Sequence, residues 1–571
     1  MQTTRKNFFA SPVLFLIALL ILFGALISCS STGLNENGTR EIDRPNVLII
    51  LADDLGYSDV GAFGGEIETP HLDRLAENGL RYTQFYNDGR CWPTRASLLT
   101  GYYAQQVRID PRRGDQMPEW AGMLPDYFKP LGYRAYHSGK WHIHLERKPI
   151  KYGHFDRSYF IRDFDRFFAP KRHFLNGEKL PAVQPQEDFY LTTEIADRTI
   201  QFLREHQKKH DDRPWLSYMA FTAPHFPLHA PQEDIQAYDG TYDSGWDRIR
   251  KKRLKRMKEL GIVDETVSLP SREPDVVPDW NLWSKPLKDV LGPLEERSGH
   301  AWSGKTLTSV YGPGEVGRAV AWSSLTEEQK TFQAKKMQVH AAMIDRMDDE
   351  IGRVLRQIKK MGDRKNTVVL FLSDNGASAE LLVRGDGHDR SAPMGSGDSY
   401  LCLGPGWSTA SNTPYRLHKH WTHEGGIRTP FILNWPAGLP DSAEGELRRT
   451  PAHVIDLLPT LLDLAGEPSE QTAKNAPPLP GKSLVPTFEQ DVQIKRSHLF
   501  FNHSGNRALR NDGWMGVQRE RRDAWELYHM DRDPNERKDL ADDHPERLRR
   551  MKQRWNALNN RYRLQSRTRS E

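Results

Sequence analysis

Two stretches of the chain restrict its fold more than anything else in the sequence. Asn46 to Ala52 (NVLIILA) and Thr367 to Leu372 (TVVLFL) are unbroken apolar runs rich in β-branched residues. A strand with one wet face alternates apolar and polar side chains. A run without that alternation is buried on both faces, which is the habit of parallel sheets. Helical patterns lie between the two runs: His71 to Gly79, and the long amphipathic stretch Glu328 to Met361, which ends before Gly362. Strands alternating with helices predict an α/β domain, a large and mostly parallel central sheet flanked by helices. Both runs stop at acidic groups, Asp53-Asp54-Leu55-Gly56 and Ser373-Asp374-Asn375-Gly376. In open α/β sheets reacting groups gather beyond the carboxyl ends of the strands, where both groups fall. Three carboxylates brought together repel one another unless a cation lies between them. Oxygen-only ligands favour Ca²⁺ or Mg²⁺ over zinc. Capping of the next helix is the plainer alternative for each pair.

The rest of the chain divides around that sheet. Residues 236–325 read as an insertion, rich in Pro, Trp and charge and without strand rhythm. Strand character returns over Pro430 to Asn434, and a helix is expected over Ala452 to Ala465. A Pro-rich break follows at Ala476 to Lys482. Beyond it, short strands (His498 to Asn502, Trp514 to Gln518, Ala524 to His529) and a charged terminal helix predict a small C-terminal α+β domain. The boundaries expected are 44–490 for the larger domain and 491–571 for the smaller. At the N-terminus, Arg5 and Lys6 precede an apolar run from Val13 to Ile27. It is shorter than the about 20 residues a membrane-spanning helix needs. Residues 1–28 therefore read as a signal peptide. Leu26-Ile27-Ser28-Cys29 resembles a bacterial lipobox, which implies cleavage before Cys29, lipid attached to its sulfur, and a polar tether over 29–43. The expected location is exported, in the periplasm or on the outer membrane as a lipoprotein, with the lipid anchor as the membrane contact. A net charge of +4 over 571 residues offers no argument for nucleic acid.

Three cysteines, Cys29, Cys91 and Cys402, cannot build a disulfide framework. Cys402 lies between leucines and reads as buried and inert. Cys91-Trp92-Pro93-Thr94-Arg95, followed by Leu99-Thr100-Gly101, is the most informative segment. It resembles the signature C-x-P-[ST]-R-x-x-x-L-T-G of the sulfatase family, the arylsulfatase-like enzymes of the alkaline phosphatase superfamily.

The resemblance extends from about residue 44 to 545. It includes Thr69-Pro70-His71-Leu72-Asp73-Arg74-Leu75-Ala76, Gly139-Lys140-Trp141-His142 and Pro224-His225-Phe226-Pro227-Leu228. It also includes Lys419 before Glu424-Gly425-Gly426-Ile427-Arg428-Thr429-Pro430, and Leu527-Tyr528 through Asp533-Pro534-Asn535-Glu536. Ile143-His144 stands where the family has Leu-Gly.

By resemblance, a maturation enzyme oxidises Cys91 to formylglycine, an aldehyde whose hydrate attacks the sulfur of a sulfate ester. The modification suits the task, because a gem-diol sheds its own sulfate ester by collapsing to the aldehyde. The resemblance also implies that Asp53, Asp54, Asp374 and Asn375 bind a divalent metal, Ca²⁺ or else Mg²⁺, together with residue 91. Arg95 would hold the formylglycine oxygens. Lys140, His225 and Lys419 would contact sulfate. His225, alone or with Lys419, would be the acid for the leaving oxygen, and His142 the base that expels sulfate from the hydrate. The expected substrate is a sulfated small molecule or glycan. The rival reading is a phosphonate or phosphodiester hydrolase of the same superfamily. A glycan-binding module without catalysis is disfavoured by the intact ligand set, and a two-zinc phosphatase by the lack of further Asp and His ligands. The basic run Arg248 to Lys258, the histidines His388, His418, His420 and His423, and Arg547, Arg549 and Arg550 read as solvated faces or loops. A polyanion contact is the alternative for the first of these, and substrate subsites the alternative for the histidines.

Overall fold

The computed structural model describes residues 44–571, apart from 112–116, 144–148, 273–310, 382–387, 468–474, 521–523 and 568–571. The predicted signal peptide and tether, with Cys29, lie outside the described residues, as do 273–310 of the insertion.

The described strands, in chain order, are β1 (Asn46–Ala52), β2 (Leu80–Tyr86), β3 (Arg134–Lys140), β4 (Arg157–Ile161), β5 (His173–Leu175), β6 (Glu178–Lys179), β7 (Trp215–Ala220), β8 (Thr367–Ser373), β9 (Arg428–Asn434), β10 (Leu447–Arg448), β11 (Ala452–His453), β12 (Leu499–His503), β13 (Asn506–Asn511), β14 (Trp514–Gln518) and β15 (Glu526–His529). The large sheet runs β10-β2-β9-β8-β1-β7-β3-β4-β5-β6, with β11 also on β2. Its centre, β8-β1-β7-β3-β4, is parallel, whereas β9 lies antiparallel between β8 and β2.

The missing alternation in β1 and β8 has the predicted cause. Leu48 and Ile50 face one apolar core, and Val47, Ile49 and Leu51 face another on the opposite side. Helices Pro70–Glu77, Leu191–Lys209 and Glu327–Met361 pack on the first side, and Cys91–Thr100 and Leu457–Leu464 on the second. The long helix starts where Thr326 accepts from the Gln329 amide in a capping box, and it stops at Gly362, φ 88°.

Two expectations are corrected. Ala452 to Ala465 is not one helix. Ala452 and His453 are captured by the edge of β2, and the α-helix begins only at Leu457. The break is fixed by Asp456, whose carboxylate accepts from the His453 amide. The basic run is not simply a solvated face either. It lies on helix Gly245–Glu259, where Arg250 and Arg253 are 4% and 1% exposed.

The second sheet, β12-β13-β14-β15, is antiparallel throughout and is covered by the C-terminal helix Pro545–Gln565. The strand Asn506–Asn511 was not anticipated, because its NRALRN sequence puts an arginine on each face, Arg507 and Arg510, and has no β-branched residue. Among the described residues no helix is long and apolar enough to cross a membrane.

Candidate active site

Sheet register alone brings most of the chemistry together. Ala52 pairs with Ser373, so Asp53 and Asp374 leave adjacent strands side by side. Leu51 pairs with Ala220, and Ala220 with Gly139, which puts the β7 exit and Lys140 on the same edge. Because β9 is antiparallel to β8, its entry, preceded by the Lys419 loop, arrives at that edge as well. Gly376 makes this approach possible. Its amide donates to the Gly426 carbonyl at 3.0 Å, and a Cβ there would lie 1.9 Å from the Gly425 carbonyl oxygen. Asp54 turns back into the site with φ 67°, a left-handed conformation that Asp tolerates better than most L-residues.

Cys91 is the first residue of its helix, after Arg90 in extended conformation. The Thr94 hydroxyl accepts from the Asp88 amide at 3.0 Å, a role that Ser or Thr can fill. Arg95, one turn on, is fully buried and forked. Its Nε and Nη2 lie 2.9 and 2.7 Å from Asp374 Oδ2, and its Nη1 donates to the Lys140 carbonyl at 2.9 Å.

Ligand atoms of Asp53, Asp54, Cys91 and His225 all lie within 4.8 Å of one another. Lys140 Nζ donates to Asp53 Oδ2, and Lys419 Nζ to Asp54 Oδ2 at 2.8 Å. Asn375 Nδ2 donates to Asp54 Oδ1 at 2.8 Å, and the Asp54 amide reaches Asp374 Oδ1 at 3.4 Å. Two buried acceptors, Asp53 Oδ1 and Asn375 Oδ1, have no hydrogen-bond partner among the described residues. Orphaned oxygens beside carboxylates are what a hard cation would satisfy, so the donor set fits Ca²⁺ or Mg²⁺.

Burial pushes the Cys91 thiol up to about 12, despite Lys140 and Lys419 nearby. At neutral pH it is a protonated, weakly nucleophilic thiol. Burial, then the Asp374 charge, raises Asp53 above the ordinary carboxylate range. Burial, then Lys419 and Lys140, holds the His225 ring well below the usual imidazole range. Burial alone would lower Lys419, but Asp54 and other anionic neighbours outweigh it and raise it.

The structure thus brings Asp53, Asp54, Cys91, Arg95, Lys140, His225, Asp374, Asn375 and Lys419 into one cluster. His142 stands at its rim, half-buried, with φ 55° and its ring 5.8 Å from that of Trp92. Three neighbours were not read from the sequence. Glu380 bridges Arg90, at 2.5 Å, and Lys419, at 3.2 Å. Tyr218 hydroxyl lies 3.5 Å from Arg95. Phe164 sits with its ring centroid 4.3 Å from Lys140 Nζ, 4.9 Å from the His142 ring and 5.9 Å from the His225 ring. None stands in a motif, so a single sequence carries no signal for them. His418 and His423 are buried in loop contacts with Ser408 and Glu526.

The sulfatase family model matches residues 45–467, and that of the N-sulphoglucosamine sulphohydrolase C-terminal region matches 415–561. The chain is 31% identical to an arylsulfatase of Klebsiella aerogenes, over 80% of this chain and 95% of that protein. It is 30% identical to an uncharacterised sulfatase of Schizosaccharomyces pombe, over 91% and 94%. Among solved structures, one in complex with D-glucosamine-2-N,6-O-disulfate superposes with a TM-score of 0.60 at 18% identity, covering 93% of this chain and all of that one (100%). A complex with k-i-k-neocarrahexaose gives 0.60 at 20% identity, over 92% and 94%. With the signature cysteine, the carboxylates and the two lysines converging on one edge of this sheet, the chain belongs to the sulfatase family and is a sulfuric ester hydrolase.

Proposed function

We propose that this enzyme removes sulfate from a sulfated carbohydrate, using a formylglycine made from Cys91 and a calcium ion held by Asp53, Asp54, Asp374 and Asn375 with residue 91. The observation that carries this reading is the placement of Cys91 Sγ within 4.8 Å of ligand atoms of Asp53, Asp54 and His225. The hydrated aldehyde supplies an oxygen nucleophile toward sulfur and a second hydroxyl whose deprotonation releases sulfate. A cation held by these carboxylates would lower the pKa of that hydrate and offset the carboxylate charge. An ammonium has three N–H donors. Lys140 commits one to Asp53 and Lys419 one to Asp54, with Glu380 an ion-pair partner of Lys419 at 3.2 Å, so both retain donors for sulfate oxygens. His225 faces the Phe226 carbonyl through Nδ1, which leaves Nε2 toward the site. An incoming sulfate would offset the lysine charges that depress this ring, coupling its protonation to binding and readying it to protonate the leaving oxygen. His142 at the rim takes the proton that expels sulfate. Arg95 neutralises Asp374 and holds residue 91's helix to β3.

The saccharide complexes of the two structural neighbours support a carbohydrate substrate. A phosphonate monoester hydrolase from Silicibacter pomeroyi shares the fold at a TM-score of 0.55 and 18% identity, so the rival reaction stays open to test. The kcat/KM ratio for an aryl sulfate against an aryl phosphonate decides it, and a ratio favouring phosphonate would overturn the sulfate reading. Mass spectrometry of the Cys91 peptide from the native host should show the thiol converted to aldehyde. Cys91→Ala should cost about 1,000-fold or more in kcat with the fold retained. Substantial turnover by that variant would remove the nucleophile.

The lipobox-like segment supports export by way of a lipid on Cys29. Metabolic labelling with palmitate should mark the wild type and not Cys29→Ser, and an unlabelled wild type would overturn the anchor.

A further inference from the structure

A second polar cleft lies beside the catalytic site. The loop after the Cys91–Thr100 helix, the β12–β13 hairpin and the C-terminal helix enclose about 560 Å³. Each of these three elements contributes an arginine to the wall: Arg108, Arg507 and Arg563. Arg507 is laid over the Trp555 ring at 4.7 Å, which fixes its guanidinium on the wall. Arg108 holds φ 65°, a conformation that costs an L-residue energy. Among the described residues its side chain makes no hydrogen bond or ion pair. Two acids also face the cleft, Glu520 and Asp110, and Asp110 is already engaged by His503 Nδ1 at 3.0 Å. Neutral donors are at hand in the linked amides of Asn502 and Asn559, 3.1 Å apart.

The cleft adjoins the reacting group. His503, between the lining residues Asn502 and Ser504, sets its ring edge-on to Trp92 at 5.3 Å. Trp92 is the neighbour of Cys91 and also meets the His142 ring, at 5.8 Å. A saccharide chain with one sulfate at Cys91 would therefore run its next unit over the half-buried Trp92, which the buried His503 backs, to the arginines.

We propose that this cleft is a second anion subsite, taking a sulfate group on a sugar unit adjacent to the one being desulfated. Guanidinium forks match the oxygens of a tetrahedral anion and are only weakly hydrated, so they bind it at small desolvation cost. The subsite would make the enzyme prefer multiply sulfated oligosaccharides over small esters. This inference rests on the carbohydrate reading above, so binding is measured apart from turnover.

The test uses Cys91→Ala enzyme and calorimetric titration with a multiply sulfated hexasaccharide and its desulfated form. Arg108→Gly removes the charge while keeping the left-handed backbone, and Arg563→Gln is a milder partner on another element. Each should weaken binding of the sulfated probe about 10-fold, with little effect on the desulfated one. In enzyme carrying Cys91, the same variants should leave kcat/KM for 4-nitrophenyl sulfate unchanged and lower it for the sulfated hexasaccharide, through KM. Unchanged affinity for the sulfated probe in both variants would overturn the subsite, as would an equal loss with both substrates. Absence of turnover with any sulfate ester would instead strike the reading of the catalytic centre, while the titration still reports on the cleft.

Discussion

Phe164 is the hydrocarbon among the charges. Its ring touches Lys140, His142 and His225 at once, from a half-buried position on the loop after β4. An ammonium over an aromatic face gains about 0.5–2 kcal/mol, more as water is excluded. The same ring lies against both histidines, the two groups proposed to move protons. Phe164→Ala should therefore lower kcat/KM for an aryl sulfate about 10-fold or more, while Phe164→Tyr retains most of it and neither changes the melting temperature appreciably. Steady-state kinetics beside thermal melts decide the matter, and an alanine variant with wild-type kinetics would remove the role. Residues such as Cys91, Lys140 and Asp374 were legible in the sequence because each sits in a run of fixed spacing. Phe164 was not, because the loop that carries it acts through a ring surface that many sequences can present. The interchange of Thr and Ser at position 94 is likewise explained only by structure: the hydroxyl need only accept from the Asp88 amide.

At the scale of elements, periodicity revealed which segments are helix or strand, and long-range pairing decided what they do. The helix Gly245–Glu259 shows this. Its basic composition pointed to solvent, yet Arg253 places Nη1 2.6 Å from Asp59 and forks Nε and Nη2 onto Glu66, both at 2.8 Å. Asp59 in turn accepts from the Gly56 amide at 2.9 Å and lies 3.2 Å from His340. The insertion thereby clamps the turn that follows the acidic pair Asp53-Asp54. Nothing local in the sequence announces a partner 194 residues away. Removing Arg253 leaves Asp59 buried without its strongest counter-charge, so Arg253→Met should cost about 3–5 kcal/mol of stability. A pH signature accompanies it. Burial alone would raise the Asp59 pKa, but Arg253 and then His340 outweigh burial and hold it far below its ordinary 3.8. The folded state thus binds fewer protons than the unfolded state just below that value. The stabilisation is complete above about pH 4 and drains away as pH falls further. Thermal melts of wild type between pH 7 and pH 3 should show this loss, and Arg253→Met should show a shallower one. Parallel curves would sink the assignment.

On the scale of the whole molecule, the two sheets meet at the catalytic edge. Arg416, just before Lys419, reaches Glu526, the Tyr528 hydroxyl and the Glu536 carbonyl, and His423 reaches Glu526. Residues of β15 and the turn beyond it therefore hold the lysine loop, and residues 44–571 form one compact unit. The strands of the smaller sheet could be read locally, whereas its role as a buttress depends on docking that no local pattern encodes. Convergence of this kind gives a cation a global effect. The ligands proposed for it come from the ends of β1 and β8 and the start of the Cys91–Thr100 helix. A ligand that binds only the folded chain stabilises it by about 2.7 kcal/mol at 100 times its dissociation constant. Calcium added to chelator-treated enzyme should raise the melting temperature by several degrees, to an extent that grows with the logarithm of its concentration. Asp53→Asn and Asp374→Asn should abolish the rise, because each removes an anionic ligand while keeping the side chain's volume. Arg253→Met should keep the rise, since it weakens the clamp without touching a ligand. A melting temperature indifferent to calcium and magnesium alike would break the link between the orphaned oxygens of Asp53 and Asn375 and a bound cation. Without that link, the clustered carboxylates would be balanced by Lys140, Lys419 and Arg95 alone.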